Sequence, residues 1–380
     1  MPYGQLKDTA FEIYIHIPFC IKKCLYCDFL SAPASGEAVG RYVDALIKEI
    51  KAAGKQSGGR VSSVFVGGGT PTVLSEAHLT AIFDALHASF RLEEGAEITV
   101  EANPGTLTAG KARALKEAGV NRLSLGLQSV FLKDLRMLGR IHTFEDFLIS
   151  LDHAQNAGFR NINADLMFAL PGQTRKEWEQ CLLRTAALPL THISAYSLIL
   201  EENTPLYRNH PPLPPEDDEY AMYEDTNDIL SACGFTQYEI SNYARNGFPC
   251  RHNLGYWKRV PYLGLGLGAS SLWQETRYKN TSDMPSYLEN AQAPLRLQQE
   301  KEYLTRRDAM SESMFLGLRL TQGVSKKAFQ KDYGIAPEVI YAPIIKKYTE
   351  TGLLNNQETH LSLTRKGIHV SNTIMAEFLL

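Results

Sequence analysis

Hydrophobic and polar positions along the chain switch repeatedly between a period of two and a period near 3.6, the pattern of strands joined by helices. An alternating run over Glu12–Ile17 predicts a first strand. Val39, Tyr42, Val43, Leu46, Ile47 and Ile50 then recur at helical spacing, which predicts a helix over 37–53 ended by Gly54. The short apolar run Val61–Val66 reads as a buried strand, and Ser75 is placed to cap a helix reaching Ser89. The same alternation predicts strands at 98–101, 122–127, 161–168 and 192–199. Helices are expected near 108–118, 131–138, 143–157, 175–187 and 216–232.

Strands separated by helices at this pitch pair in parallel through right-handed crossovers. About six such units are visible, fewer than the eight of a closed barrel. The expected fold class is therefore α/β: an open, partial TIM-type βα barrel of about six units, with a small second domain. Pro205, Pro211, Pro212, Pro214 and Pro215 mark a semi-rigid connector. From about Pro294 the pattern changes to helices over 302–318, 325–333 and 337–351, a short strand at 359–363 and a last helix ending near Phe378. That order resembles a winged-helix-like module. The expected division is 1–235 for the barrel, 236–293 for an extension and 294–380 for the C-terminal module.

Composition narrows the function classes. The chain has 380 residues, a formal net charge of −3 and 44% hydrophobic residues, as in an ordinary soluble protein. No basic field or clustered Arg/Lys face recruits nucleic acid. No apolar run is long enough to span a membrane, and Met1–Thr9 lacks the layout of a secretory signal. Clustered thiols without an export signal point to a reducing compartment, the cytoplasm.

The chemistry concentrates just after the first strand. Cys20, Cys24 and Cys27 make up half of the 6 cysteines and fall within one short loop. Disulfides account for them poorly, because three is odd and such near neighbours close only tiny loops. A zinc site usually needs a second cysteine pair or histidines further on. Three thiolates holding a [4Fe–4S] cluster satisfy the spacing and leave one iron open. A zinc-bearing structural or regulatory protein is the other reading.

The remaining polar residues cluster at predicted strand ends, where active sites of parallel barrels lie. Gly67-Gly68-Gly69-Thr70 follows the second strand, Glu101 ends the third, Gln128 follows the fourth and Asp165 lies within the fifth. The glycine run lacks the Lys-Ser/Thr of a P-loop and the spacing of a dinucleotide fingerprint. It lets backbone groups approach a ligand closely.

The CxxxCxxC loop, with Tyr26 before its last cysteine, resembles the radical S-adenosylmethionine (SAM) superfamily. The Gly-Gly-Gly-Thr-Pro stretch, Val-Glu-Ala-Asn-Pro-Gly around Glu101, Leu-Gly-Leu-Gln-Ser around Gln128, Leu-Gly-Arg-Ile-His around Arg140 and Ala-Asp-Leu-Met-Phe around Asp165 resemble its oxygen-independent coproporphyrinogen oxidase-like subgroup. The resemblance implies a [4Fe–4S] cluster on Cys20, Cys24 and Cys27. It further implies SAM contacts from Tyr14, Gly68, Gly69, Thr70, Glu101, Gln128, Arg140 and Asp165. Arg140 offers a bidentate fork to a carboxylate of the cofactor or of a propionate-bearing substrate.

Two departures separate the chain from the dehydrogenase of that subgroup. Phe29 stands where the dehydrogenase has a further cysteine, and only 19 residues precede Cys20. Both features resemble the haem-chaperone branch, as does the HNxxYW motif His252-Asn253-Leu254-Gly255-Tyr256-Trp257. That resemblance implies haem as a further ligand, with His252 in its site, haem-accepting proteins as partners and an electron donor for the cluster. Cys250 is the alternative haem ligand. Peripheral membrane contact and homodimer formation stay open, as does radical oxidation of coproporphyrinogen propionates to vinyls.

Overall fold

The computed structural model describes residues 10–380; the N-terminal stretch read above for a signal lies outside the described residues. The first half alternates as expected: β1 (Ala10–Ile17), α1 (Gly36–Ser57), β2 (Arg60–Gly68), α2 (Glu76–Ser89), β3 (Leu92–Ala102), α3 (Ala109–Glu117) and β4 (Arg122–Gln128). There follow α4 (Leu132–Met137), α5 (Phe144–Asn156), β5 (Asn161–Phe168), α6 (Arg175–Ala186) and β6 (His192–Ser197). The helices start where their caps say they should: Ser75, Thr108, Thr143 and Thr174 each accept a first-turn N–H. Gly54 does not end α1. It lies where that helix presses against the backbone of Ser89, a contact that a Cβ would obstruct.

Strands β1 to β6 pair in parallel in sequence order. Their alternation divides the residues into two sets. Ile13, Ile15, Val64, Val66, Val100, Leu123, Leu125, Ile162, Ala164 and Ile193 are buried in the hydrophobic core. The alternate positions carry Glu12, Tyr14, His16, Ser63, Glu97, Glu101, Arg122, Ser124, Asn163, Asp165 and His192, and these form the polar interior of the barrel.

The rest of the sheet was not legible in the hydrophobic pattern. After α7 (Pro205–Arg208), one helical turn inside the proline-rich connector, and α8 (Glu216–Ala232) come β7 (Thr236–Glu239) and β8 (Asn242–Ala244). Then follow α9 (Arg251–Trp257), β9 (Tyr262–Leu265), β10 (Ser270–Trp273), β11 (Thr276–Asn280), α10 (Met284–Asn290), α11 (Pro294–Leu297) and β12 (Gln298–Tyr303). The full order is β12-β11-β10-β9-β1-β2-β3-β4-β5-β6-β8-β7, a linear twelve-stranded sheet whose ends do not meet. Strand β9 lies parallel to β1, whereas β8, β10, β11 and β12 run antiparallel to their neighbours. These strands are short, and β12 carries Gln298-Gln299-Glu300-Lys301-Glu302-Tyr303, so tertiary pairing rather than apolar alternation makes it a strand.

Beyond Tyr303 a separate apolar cluster forms around Met314, Phe329, Tyr341, Ile345, Leu361 and Phe378. It belongs to α12 (Arg306–Gly317), β13 (Val324–Ser325), α13 (Lys326–Tyr333), α14 (Pro337–Glu350), β14 (Leu354–Asn356), β15 (His360–Leu363), α15 (Arg365–His369) and α16 (Ser371–Ala376). Its three strands pair in the order β13-β15-β14, so the module is helical with a small antiparallel sheet. No helix among the described residues is long and apolar enough to cross a membrane.

Candidate functional site

The loop from β1 to α1 carries the three thiols across the C-terminal ends of the strands. Leu25 N–H donates to Leu138 O at 2.9 Å, and Leu206 N–H donates to Leu25 O at 2.9 Å, so flanking segments hold the loop from both sides. Cys20, Cys24 and Cys27 are free, partly exposed thiols lining one pocket of about 1340 Å³. No disulfide joins them, and among the described residues no group of three His, Cys, Asp or Glu side chains is drawn together as a single-ion cage. Three free thiols lining one pocket are the soft donor set that iron–sulfur clusters take. Burial pushes the Cys24 thiol up, with the Arg140 charge opposing it, and burial likewise raises Cys27. Their protons must leave when metal binds.

Gly68, Gly69, Thr70, Glu101, Gln128, Arg140 and Asp165 line the same pocket, so five stretches far apart in sequence meet there. Gly68 has φ 108° and sits where a Cβ would strike the His16 ring; a Cβ on Gly69 would come within 2.5 Å of Phe19 O. Glycine is therefore required by the backbone path itself. The loop is knitted to its neighbour by Gly69 N–H to Ile17 O at 2.8 Å and Thr70 N–H to Phe19 O at 2.7 Å. Gln128 holds φ 66° without being glycine, local strain at a pocket-lining residue.

One hydrogen-bonded chain runs from the thiols across the pocket. Thr70 Oγ1 donates to Cys20 Sγ at 3.5 Å, Asn103 Nδ2 donates to Thr70 Oγ1 at 2.7 Å, and Arg140 Nη1 donates to Asn103 Oδ1 at 2.8 Å. Arg140 Nη2 then donates to Tyr26 OH at 2.7 Å, back in the cysteine loop. Asp165 accepts from Ser124 Oγ at 3.2 Å and from Asn163 Nδ2 at 2.8 Å. Tyr196 OH donates to Gln128 Oε1 at 3.1 Å. Asn103 and Tyr196 escaped the sequence reading, although both are polar residues at or just beyond the ends of parallel strands and the same rule could have found them.

Glu101 accepts the Gly68 N–H at 3.1 Å, and burial beside Asp165 pushes its carboxyl up to about 8. Burial also raises Glu12 to about 8, against the hydrogen bond from Ser63. A folded Glu12 keeps its proton up to about pH 8, whereas an unfolded one releases it near 4.5. The folded state then binds more protons between these values, so its stability falls as pH rises through them. Denaturant unfolding of the cluster-free protein is expected to give a lower unfolding free energy at pH about 8 than at pH about 5, and Glu12→Gln to flatten that slope.

Two expected contacts lie elsewhere. Tyr14 is inside the barrel, paired with Phe65 one layer below Gly67. Its hydroxyl lies 3.0 Å from His16 Nδ1, and it does not line the pocket. His252 is at the opposite end of the barrel and only 1% exposed. Its Nδ1 meets Ser63 Oγ at 2.8 Å, its Nε2 meets Tyr256 OH at 3.1 Å, and its ring stacks on Phe65. With both nitrogens engaged by neighbouring hydroxyls and the ring buried, this imidazole presents no free nitrogen to a haem iron in this conformation. Cys250 is fully buried too, its thiol donating to Glu97 Oε1 at 3.4 Å. The motif instead seals the barrel: Glu97 accepts the N–H groups of Arg251 and His252, both at 3.1 Å, and so anchors the first turn of α9. Removing the imidazole with His252→Ala is expected to lower stability by about 1–3 kcal/mol through the lost stacking on Phe65 and the unpaired Tyr256 hydroxyl, read by chemical denaturation.

A partial parallel barrel with three free thiols at its mouth, facing a glycine-lined and carboxylate-bearing pocket, defines a radical SAM protein. The Radical SAM superfamily profile matches residues 14–184, and the HemN C-terminal domain profile matches residues 304–370. The chain is 39% identical to the heme chaperone HemW of Bacillus subtilis, over 96% of this chain and 98% of that one. It is 40% identical to the heme chaperone HemW of Escherichia coli over 70% of this chain and 71% of that one. The solved structure of coproporphyrinogen III oxidase (HemN) from Escherichia coli, described as a radical SAM enzyme, superposes with a TM-score of 0.87 at 23% identity, covering 99% of this chain and 92% of that one. The chain belongs to the HemW family of radical SAM proteins, and membership implies a [4Fe–4S] cluster and SAM.

Proposed function

We propose that this chain is a haem chaperone: it holds a [4Fe–4S] cluster on Cys20, Cys24 and Cys27, binds SAM beside it, and carries haem to acceptor proteins. The observation that carries the reading is the pocket in which three unbridged thiols face Gly68, Gly69, Glu101, Gln128, Arg140 and Asp165. When bound, the cluster would supply an iron without a protein ligand, on which the amino and carboxylate groups of SAM chelate, and a route for one electron from a reductase. Thr70, Asn103 and Arg140 brace the cysteine loop, Glu101 suits the ribose hydroxyls, and Gly68 and Gly69 leave backbone open to the cofactor. Arg140 is one cation near a SAM carboxylate. Tyr14, in the layer below, acts by positioning His16, whose Nε2 meets Leu30 O at 2.8 Å at the end of the cysteine loop.

Phe29 favours a carrier over an oxidase. It lines the pocket mouth, 60% exposed, where the dehydrogenase pattern has a thiol. The likeness of the whole fold to HemN supports the second reading, oxidative decarboxylation of coproporphyrinogen propionates. Anaerobic reconstitution followed by parallel assays separates the two. Haem binding without vinyl product is expected; vinyl product formed with SAM and a reductant would overturn the carrier reading.

A further inference from the structure

A cleft of about 900 Å³ opens where the end of α9 meets the C-terminal module, away from the cysteine pocket. Its walls include Trp257, Leu320, Val324 and Phe329, and the rim carries Lys258 and His360. Polar and apolar residues share the lining about equally, so an aromatic and aliphatic wall faces several convergent polar groups, as in small-molecule sites. Trp257 is the last residue of the HNxxYW motif. Its indole N–H is buried and has no partner among the described residues, while the Arg319 guanidinium lies 4.4 Å over its ring. Buried donors in native proteins are nearly always paired, so an unpaired one bordering a cleft points to a missing ligand or water. His360 is the one imidazole in the lining. Its Nδ1 lies 3.0 Å from Thr359 Oγ1; with Nδ1–H donating there, Nε2 presents its lone pair and has no partner among the described residues.

We propose that this cleft is the haem site, with His360 Nε2 as an axial iron ligand, Trp257 packed against the macrocycle and Lys258 paired with a propionate. The proposal rests on the reading of this chain as a haem chaperone. An imidazole whose other nitrogen is held by a hydrogen bond is the common arrangement of a metal-ligating histidine, and neutral imidazole is an established haem ligand. An aromatic wall suits a flat, apolar ring, and a lysine at the rim suits a carboxylate that stays in water. Asp332 also lines the cleft, so only the Lys258 side favours a propionate. The motif then works through its two ends: His252 fixes α9 in the base of the barrel, and Trp257, on the same helix, forms a wall of the haem cleft.

The test is haemin titration of the full chain, followed by the Soret band, for wild type, His360→Ala, Lys258→Glu and Ala328→Trp, the last of which fills the cleft. Wild type is expected to bind. His360→Ala is expected to shift the Soret band and weaken binding at least about tenfold, with added imidazole restoring the band. Ala328→Trp and Lys258→Glu are expected to weaken binding while the unfolding transition stays in place. The imidazole rescue and the exposed Lys258 keep the test decisive even where a cleft-filling variant folds poorly. Wild-type binding that none of the three variants alters would overturn this site and leave the chaperone reading standing; absence of binding by wild type would overturn both.

Discussion

Serine at any one of positions 20, 24 or 27 is expected to abolish stable cluster assembly, taking bound iron from about four per chain after anaerobic reconstitution to near zero. Serine keeps the shape of the side chain and loses the soft thiolate that iron–sulfur clusters require. Three protein ligands leave no redundancy, because the fourth iron has none. The same loop is held by Leu138, Leu206, Tyr26 and Arg140, so the variants are expected to retain their secondary structure by circular dichroism while losing the iron absorbance. Cys233→Ser serves as the control, since Cys233 caps α8 far from the pocket and should leave iron content unchanged. Reconstitution is also expected to slow at low pH, because burial holds the Cys24 and Cys27 thiols protonated. An iron-replete triple-thiol variant would refute the cluster assignment.

Glu97→Ala is expected to cost about 3–5 kcal/mol of stability, far more than a surface substitution. The carboxylate is 5% exposed and accepts two backbone N–H groups and a thiol from the start of α9. Alanine leaves those donors dry and removes a counter-charge from Arg122, which is 2% exposed. Burial works against the Arg122 cation, and the nearby Glu97 and Asp165 carboxyl groups oppose that effect. The loss should appear as a lower denaturation midpoint with an unchanged slope. Glu97→Gln, which keeps an acceptor, should lose less. A Glu97→Ala protein as stable as wild type would mean that α9 does not depend on this anchor.

Both variants probe opposite ends of one barrel, and the sequence was legible to a different degree at each. At the mouth, the rule of strand C-termini put the cysteine loop, the glycine run, Glu101, Gln128 and Asp165 on one face. Asn103 and Tyr196 obeyed the same rule. At the base, His252 carried a motif whose meaning depended on where α9 would dock. Only the family resemblance made this imidazole a haem ligand; packed between Ser63, Phe65 and Tyr256 it is a fastening.

The sequence by itself determined the βα alternation, the helix caps and the loop of three thiols, because periodicity, capping and ligand spacing are local properties written over a few consecutive residues. Only the tertiary structure decided that the sheet grows to twelve strands, that α9 closes the barrel with Glu97 beneath it, and that Trp257 rather than His252 borders open space. Those outcomes depend on pairing between segments far apart in the chain. No local pattern encodes which buried polar group will find its partner there.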